Sequence, residues 1–173
     1  MRTLSSTLKA SQVTLSYSPI WKVVLTPASG TTLGYDINRI MSISHSEQPD
    51  SYKADITLTN STNDLTTKDF EHYQAVLSYG MKTGIARAAR AASTYALDDI
   101  VIPTTPNGYQ YRCAVAGTSA ATDPTWPTGL GVRVADSALT WEMDGNDCDE
   151  YYYTAPLRVR SQELHSGRGI LRC

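Results

Sequence analysis

The residues of this chain that are best suited to contact a ligand are four aromatic rings in its second half, Tyr95, Tyr109, Trp126 and Trp141. Tryptophan and tyrosine combine a large rigid face, which can stack on the CH face of a sugar, with a polar atom that can bond a hydroxyl. Trp126 lies in the sequence PTWP, and a loop stiffened by two prolines would present the ring at low entropic cost. These four residues are therefore candidates for a glycan-binding site.

Each of these rings also has a structural alternative. A small module with few apolar residues could use Trp126 to fill its own core, and Tyr95 and Tyr109 fit either role. Trp141 and Tyr111 occupy alternating positions of predicted strands, which favours the core. The sequence leaves open whether the Trp126 ring faces the core or a ligand.

Other site chemistry has little support in the sequence. The three histidines lie outside any HExxH pattern, and there is no GxSxG or phosphate-binding glycine loop. The three cysteines show no CxxC spacing, which argues against a zinc site and a disulfide framework. The turn DGNDCDE (144–150) has Cys and Asp at the fifth and sixth positions of a calcium loop, so a solvated acidic turn is expected. We expect no catalytic residue, metal or cofactor.

Composition favours β structure, and charge divides the chain. Tyr occurs 11 times against a single Phe, and Tyr, Thr and Val suit a pleated surface. The net charge of −2 argues against phosphate-driven binding of nucleic acid. Residues 91–150 hold two Lys/Arg and nine Asp/Glu, whereas both flanks are positive. A block of opposite charge indicates a segment with a separate role.

The sequence gives no sign of membrane insertion or secretion. No apolar run approaches the ~20 residues that a membrane-spanning helix needs. The first residues, MRTLSSTLKASQ, contain no apolar core of a signal peptide. We therefore expect a protein that is made in a cytoplasm and is not inserted in a membrane.

Short strands at 8–12-residue intervals predict a mainly β fold. The clearest strand is SYKADITLTN (51–60), in which Tyr52, Ala54, Ile56 and Leu58 share one face. Segment 3–12 predicts a short helix, and the alanine-rich segment 84–93 reads as a helix or a linker.

The strands do not divide the chain into two consecutive domains. Neither 1–83 nor 151–173 would close a sheet alone, whereas together they make an ordinary domain. We predict a split antiparallel β-barrel or β-sandwich domain from residues 1–83 plus 151–173. A small β module at 85–150 is inserted between its strands, as exposed turns allow.

The flanks resemble a known family. NRIMSISHSEQP, YKADITLTNSTNDLTTKDFEHYQAVLSYG and YTAPLRVRSQELHSGRGILRC look like segments of tail-hub or baseplate proteins of tailed bacteriophages. The resemblance implies a non-enzymatic structural subunit of the virion tail. Such subunits form rings with copies of themselves and contact other tail proteins.

The middle of the chain resembles a different module. YALDDIV, GYQYRC, AGTSAATDPTWP and LTW are similar to small modules of phage fibre and baseplate proteins, akin to chitin-binding carbohydrate-binding modules. Asp98 replaces the glycine that this pattern has, and glycine takes positive φ more cheaply than aspartate does. The resemblance implies an outward module that binds host glycan or a neighbouring tail protein.

These resemblances lead to one main hypothesis with two alternatives. The main hypothesis is a ring-forming structural protein of the virion tail, at a hub, baseplate or distal-tail position, made in the host cytoplasm. A carbohydrate-binding adhesin module and a capsid decoration protein are the alternatives. Binding of the module to chitin or cell-wall glycan, lost on Trp126→Ala, would favour the adhesin.

Overall fold

The protein is described here by a computed structural model over residues 5–13, 18–49 and 51–173. Within these ranges the prediction of a mainly β fold is confirmed, with strands in antiparallel sheets and none of the sheets closed into a barrel. The elements in chain order are α1 (Ser6–Gln12), β1 (Pro19–Thr26), β2 (Leu33–Asp36), β3 (Ile40–Gln48), β4 (Ser51–Thr59), β5 (Gln74–Lys82), β6 (Thr94–Tyr95) and β7 (Ile100–Val101). They continue with β8 (Tyr109–Val115), β9 (Gly117–Thr118), β10 (Arg133–Asp136), β11 (Leu139–Asn146), β12 (Asp149–Tyr153), β13 (Leu157–Arg158), β14 (Ser161–His165) and β15 (Arg168–Arg172).

The chain divides into two compact units. We call Ile20–Tyr79 with Tyr153–Cys173 the scaffold unit, and Met1–Pro19 with Gly80–Tyr152 the module unit. The divisions fall within β1, β5 and β12. Those in β5 and β12 lie a few residues from the predicted boundaries, whereas the one in β1 places α1 in the module unit rather than in the predicted flanking domain. The tail-like and glycan-binding identities of the two parts stay predictions.

The helix predicted near the N-terminus is present as α1, Ser6–Gln12. Ser5 caps it, because its Oγ accepts a hydrogen bond from the Leu8 backbone N–H at 3.0 Å. Leu8 is buried with 4% of its surface exposed. The predicted residues 3 and 4 lie outside the described part of the chain.

The scaffold unit is built from two sheets that share one core. One sheet has the order β14-β15-β4-β3, and the other contains β5, β1 and β2 with β13 beside β5. Alternation in β4 buries Ala54, Ile56 and Leu58 on one face, as predicted, while Tyr52 is half-exposed. The three buried residues of β4 belong to one core, whose other members are Val23, Leu25, Tyr35, Ile40, Leu65, Phe70, Ala75, Leu77, Leu157, Val159 and Leu171. Two sheets packed over a common apolar layer form a β-sandwich.

The module unit has its own core and sheets. The larger sheet has the order β10-β11-β8-β7, and β6 pairs with β9. Trp141 on β11 stands opposite Cys113 on β8, and Met143 opposite Tyr111. The core lies on this face and comprises Val101, Tyr111, Cys113, Leu139, Trp141 and Met143.

The alanine-rich segment 84–93 is not a helix. Ala89 forms a parallel bridge with Ile102, the Arg90 N–H donates to the Ile102 carbonyl at 2.8 Å, and the Ile102 N–H donates to the Ala88 carbonyl at 3.0 Å. These partners satisfy backbone groups that a short helix would leave open at its ends. Tertiary pairing therefore overrides the helical propensity of alanine. The described residues include no helix of the length and apolarity that crossing a membrane requires.

Candidate functional site

The candidate site of the module unit is a cluster of aromatic rings on the inner face of β8 and β11. Trp141 is fully buried, and its ring meets Tyr95 edge-on at 4.9 Å between centroids. The Trp126 centroid lies 4.3 Å from that of Tyr111 and 6.0 Å from that of Trp141. Contacts of this kind stabilise beyond simple burial of area. The structure therefore brings the predicted aromatic residues together around one core.

Trp126 occupies the border between this core and the surface. Its ring is half-buried and tilted by 42° against Tyr111. The indole N–H donates to Asp123 Oδ2 at 3.1 Å, and the same carboxylate accepts from the Thr104 N–H and hydroxyl, each at 2.9 Å. The polar atom of Trp126 is thus used internally. Only the partly exposed ring surface is available to a ligand.

Three of the four candidates, namely Trp126, Trp141 and Tyr95, have their polar atoms occupied. Trp141 has 0% of its surface exposed and cannot stack on a sugar, so its glycan assignment is corrected to a core role. The strand pairing of Trp141 with Cys113 explains this, since both side chains point into the module core. The Tyr95 hydroxyl donates to the Ala91 carbonyl at 3.0 Å and accepts from the Ala91 N–H at 2.8 Å.

Tyr109, like Tyr95, is a further ring with part of its surface available to a ligand. It is half-buried and packs against the cluster on the same face of β8 as Tyr111. The Tyr111 hydroxyl donates to the Pro127 carbonyl at 2.8 Å and accepts from Asn107 at the same distance. Burial raises the pKa of Tyr111 above its usual value. The half-buried Trp126 and Tyr109 rings, which pack against the same core, are therefore candidate ligand contacts, and Tyr111 packs against Trp126.

A buried arginine holds the loops around this surface. The Arg90 guanidinium bonds both carboxylate oxygens of Asp136, at 2.8 and 3.0 Å, and bonds Asp123 at 3.1 Å. It also donates to the Ala120 carbonyl at 2.6 Å, and Trp141 Nε1 donates to Asp136 at 2.8 Å. One cation therefore ties the loop at 120–123 and strand β10 to the segment 84–93 by charge-assisted bonds.

The charges of this group stabilise one another. Burial opposes ionisation of Asp136, but the hydrogen bonds from Arg90 and Trp141 outweigh it and hold the pKa of that carboxyl below its usual value. Burial opposes ionisation of Asp123 too, and the bonds from Trp126, Thr104 and Arg90 lower its pKa in the same way. Both carboxylates are therefore ionised partners of Arg90 at neutral pH.

Residues of the module pattern occupy positions that need their particular backbone or size. Asp98 has a φ of +70°, a left-handed conformation, and its N–H donates to the Cys113 carbonyl at 2.9 Å. A Cβ on Gly117 would lie 2.6 Å from the Ala138 carbonyl oxygen, so a larger residue would displace the backbone there. The turn at Asp98 is thus the one that glycine would favour, and aspartate tolerates it better than most residues do.

Asp98→Gly should change the free energy of unfolding by no more than about 1 kcal/mol, because relief of left-handed strain offsets the loss of the exposed ion pair with Arg112. Asp98→Val should cost about 1–3 kcal/mol, because a β-branched residue resists positive φ. Urea unfolding of the two variants checks this. Equal stability of both variants would contradict the strain argument.

The acidic turn 144–150 is not the solvated turn that the sequence predicts. Asp144 and Asp149 each have only 1% of their surface exposed. Asp144 accepts a hydrogen bond from the Gln110 amide at 3.0 Å, and Asp149 accepts from the Tyr151 hydroxyl at 3.1 Å. Strand alternation explains the difference for Asp144, because it places this residue on the covered outer face of the sheet. These carboxylates stabilise the fold.

Two arginines of the segment 84–93 are the functional residues that the sequence analysis missed. Arg87 donates to the Asp149 carbonyl at 2.7 Å, and Arg90 binds Asp136, which lies 46 positions along the chain. Arg87 and Arg90 are three positions apart among alanines, which is the spacing of one face of a helix. The pattern therefore gives no indication that these arginines bind residues distant in sequence. The acidic excess of residues 91–150 was the one indication that a buried cation would be needed.

The described residues contain no group of three or more His, Cys, Asp or Glu side chains that could hold a metal ion. Comparisons with protein-family models, with curated proteins and with solved structures gave no match, so the function has to be inferred from the geometry given above.

Proposed function

We propose that this chain is a non-enzymatic structural protein of a phage tail, at a hub, baseplate or distal-tail position. In this proposal the scaffold unit assembles into a ring with copies of itself and contacts other tail proteins. The module unit projects outward and binds host glycan or a neighbouring tail protein. The protein is made in the host cytoplasm and ends in the virion.

The observation that carries the proposal is the backbone at Asp98. The sequence departs from the module pattern at this position, where the pattern has glycine. The φ of +70° is nevertheless a conformation that glycine favours. The residue type at position 98 differs from the pattern, but the backbone has the conformation that the pattern's glycine would favour. This supports a true resemblance to the phage modules rather than a chance match of sequence letters. The close approach at Gly117 supports it independently.

The glycan part of the proposal is supported by Trp126. Its ring is half-buried, is fixed by Asp123 through the indole N–H, and is backed by Tyr111. A ring that is held in place before binding loses little entropy on contact with a ligand. Such a ring could stack on the CH face of a sugar, and Tyr109, a half-buried ring packed against the same core, is a second candidate contact.

The position in the virion is tested with purified tails. Mass spectrometry should find the chain in them, and electron microscopy with a labelled C-terminus should place it in a ring. Absence of the chain from tails would overturn the assignment. A label distributed over the capsid would replace it with a decoration protein.

Glycan binding is tested with the full chain on immobilised chitin and on an array of cell-wall glycans. Wild-type protein should bind at least one of them, and Trp126→Ala should lower the affinity by roughly tenfold or more, as loss of a central aromatic contact does at other interfaces. Tyr52→Ala is the matched control, because it removes an exposed ring from the scaffold unit. If wild-type protein binds none of the glycans, the module is left as a contact to another tail protein.

A further inference from the structure

We propose that the outer edge of β3 pairs with β3 of a second copy of this chain about a twofold axis. The inference rests on the proposed self-assembly and adds to it a twofold contact between copies. A twofold contact would join two subunits, or two rings face to face. The partner is the same strand, Ile40–Gln48, running antiparallel.

β3 is the open edge of its sheet. The order β14-β15-β4-β3 leaves one side of β3 without a strand partner among the described residues. At nine residues, β3 is longer than β14 and β2, which have five and four. Long edges without a lysine or an internal proline are templates for pairing, and short edges are a common protection against it. β3 contains neither residue type.

The other edge of the sheet is partly covered. The Gln162 side chain on β14 accepts a hydrogen bond from the Phe70 N–H and donates to the Lys68 carbonyl, each at 3.0 Å. These bonds hold the segment around residues 68–70 beside β14. A contact of like edges through β3 is therefore favoured over one that joins β3 to β14.

The register of the sheet shows which backbone groups of β3 point outward. Ala54 exchanges both backbone hydrogen bonds with Cys173, at 3.4 and 2.8 Å, so it faces away from β3. His45 stands opposite Ala54. In an antiparallel ladder, the two residues of a pair either bond each other or both point their backbone groups away from each other. Because those of Ala54 point away from β3, those of His45 point away from β4. The same holds two residues further on, at Glu47. His45 and Glu47 therefore present N–H and carbonyl groups at the edge.

Side chains on β3 fit a second copy in one register. With Ser46 of the two copies opposite each other, His45 of each copy stands opposite Glu47 of the other. The backbone groups of these two residues then form the hydrogen-bonded pairs of the new ladder, and the Glu47 side chain, which is 37% exposed, adjoins the strand of the other copy. Within one chain His45 Nε2 is buried, lies 3.5 Å from Glu47 Oε1 and has no hydrogen-bond partner among the described residues, while the imidazole stacks on Tyr79 with 6.1 Å between centroids. The other face offers Ser44 and Ser46, which are small and exposed.

The test uses the full chain in sedimentation velocity over a wide range of concentration. Wild-type protein should dimerise, or form even-numbered assemblies. Glu47→Pro should raise the dissociation constant by roughly tenfold or more, since each copy loses an outward N–H. Proline is tolerated where the N–H faces solvent, so the fold of the monomer should survive. Glu47→Gln keeps the N–H and should stay within roughly threefold of wild type.

Amide hydrogen exchange on wild-type protein tests the same contact without a substitution. The amides of His45 and Glu47 should become protected as the dimer forms, whereas those of Ser44 and Ser46, which face β4, should be protected throughout. A monomeric wild type, unchanged dimerisation of Glu47→Pro, or unprotected His45 and Glu47 amides in the dimer would each overturn the inference. The presence of the chain in purified tails is a separate result and would leave the proposed function standing.

Discussion

Replacing Arg90 with methionine should lower the free energy of unfolding of the module unit by about 3–5 kcal/mol. The loss is large because Arg90 has only 5% of its surface exposed, and its removal leaves Asp136 buried without its cation. The carboxylate of Asp123 and the carbonyl of Ala120 lose a donor at the same time. The loop at 120–123 and strand β10 would both lose their tie to the segment 84–93.

Urea unfolding of the full chain, followed by tryptophan fluorescence, measures the effect. Trp126 and Trp141 report on the module unit, and a Trp21→Phe background removes the tryptophan of the scaffold unit. The matched control is Arg133→Gln, since Arg133 is 43% exposed and its partner Glu142 keeps Arg112. Arg133→Gln should lower the free energy of unfolding by less than about 1 kcal/mol. Similar midpoints for Arg90→Met and wild type would show that the ion pairs do not hold the unit.

Trp141→Ala should destabilise the module unit by about 3–5 kcal/mol, whereas Trp126→Ala should cost clearly less. Trp141 is completely buried, and its removal opens a cavity and deprives Asp136 of the indole N–H. The half-buried Trp126 leaves a gap that opens to solvent and collapses more easily. Urea unfolding curves of the two single variants measure both changes in the free energy of unfolding.

The pair of tryptophan variants also separates stability from binding. If Trp126→Ala abolishes glycan binding while most of the stability is retained, the ring acts on the ligand. If Trp126→Ala is as destabilising as Trp141→Ala, the ring is a core residue and the glycan proposal loses its principal residue. Near-ultraviolet circular dichroism of Trp126→Ala checks that the aromatic cluster remains packed.

Regular alternation made parts of the fold predictable from sequence. The strand 51–60 has an apolar residue at every second position, so its buried face could be named in advance, with Ala54, Ile56 and Leu58 inside. The exception is Tyr52, which lies near the hairpin end of β4 and is half-exposed. Periodicity specifies which face is buried but not where along the strand the core ends.

The candidate site was predicted as a group of residue types but not as a geometry. Aromatic residues around PTWP indicated a cluster, yet the sequence could not place Trp126 at the border of the core and Trp141 inside it. That distinction depends on the pairing of β8 with β11. The Arg90 group was out of reach for the same reason, since Asp136 is distant in sequence and local propensity favoured a helix at Arg90. Long-range partners of buried charges leave no local periodic signal.

The two ends of the segment between β5 and β12 meet. Thr83 N–H donates to the Cys148 carbonyl at 3.0 Å, and a Cβ on Gly80 would clash with the Glu150 carbonyl. Closing such a segment costs entropy that grows only slowly with its length, about 0.6 kcal/mol for each doubling. A different segment with adjacent ends could then replace it while the flanking strands keep their register. Gly80 would be the residue that any such exchange has to preserve, because no larger side chain fits at the seam.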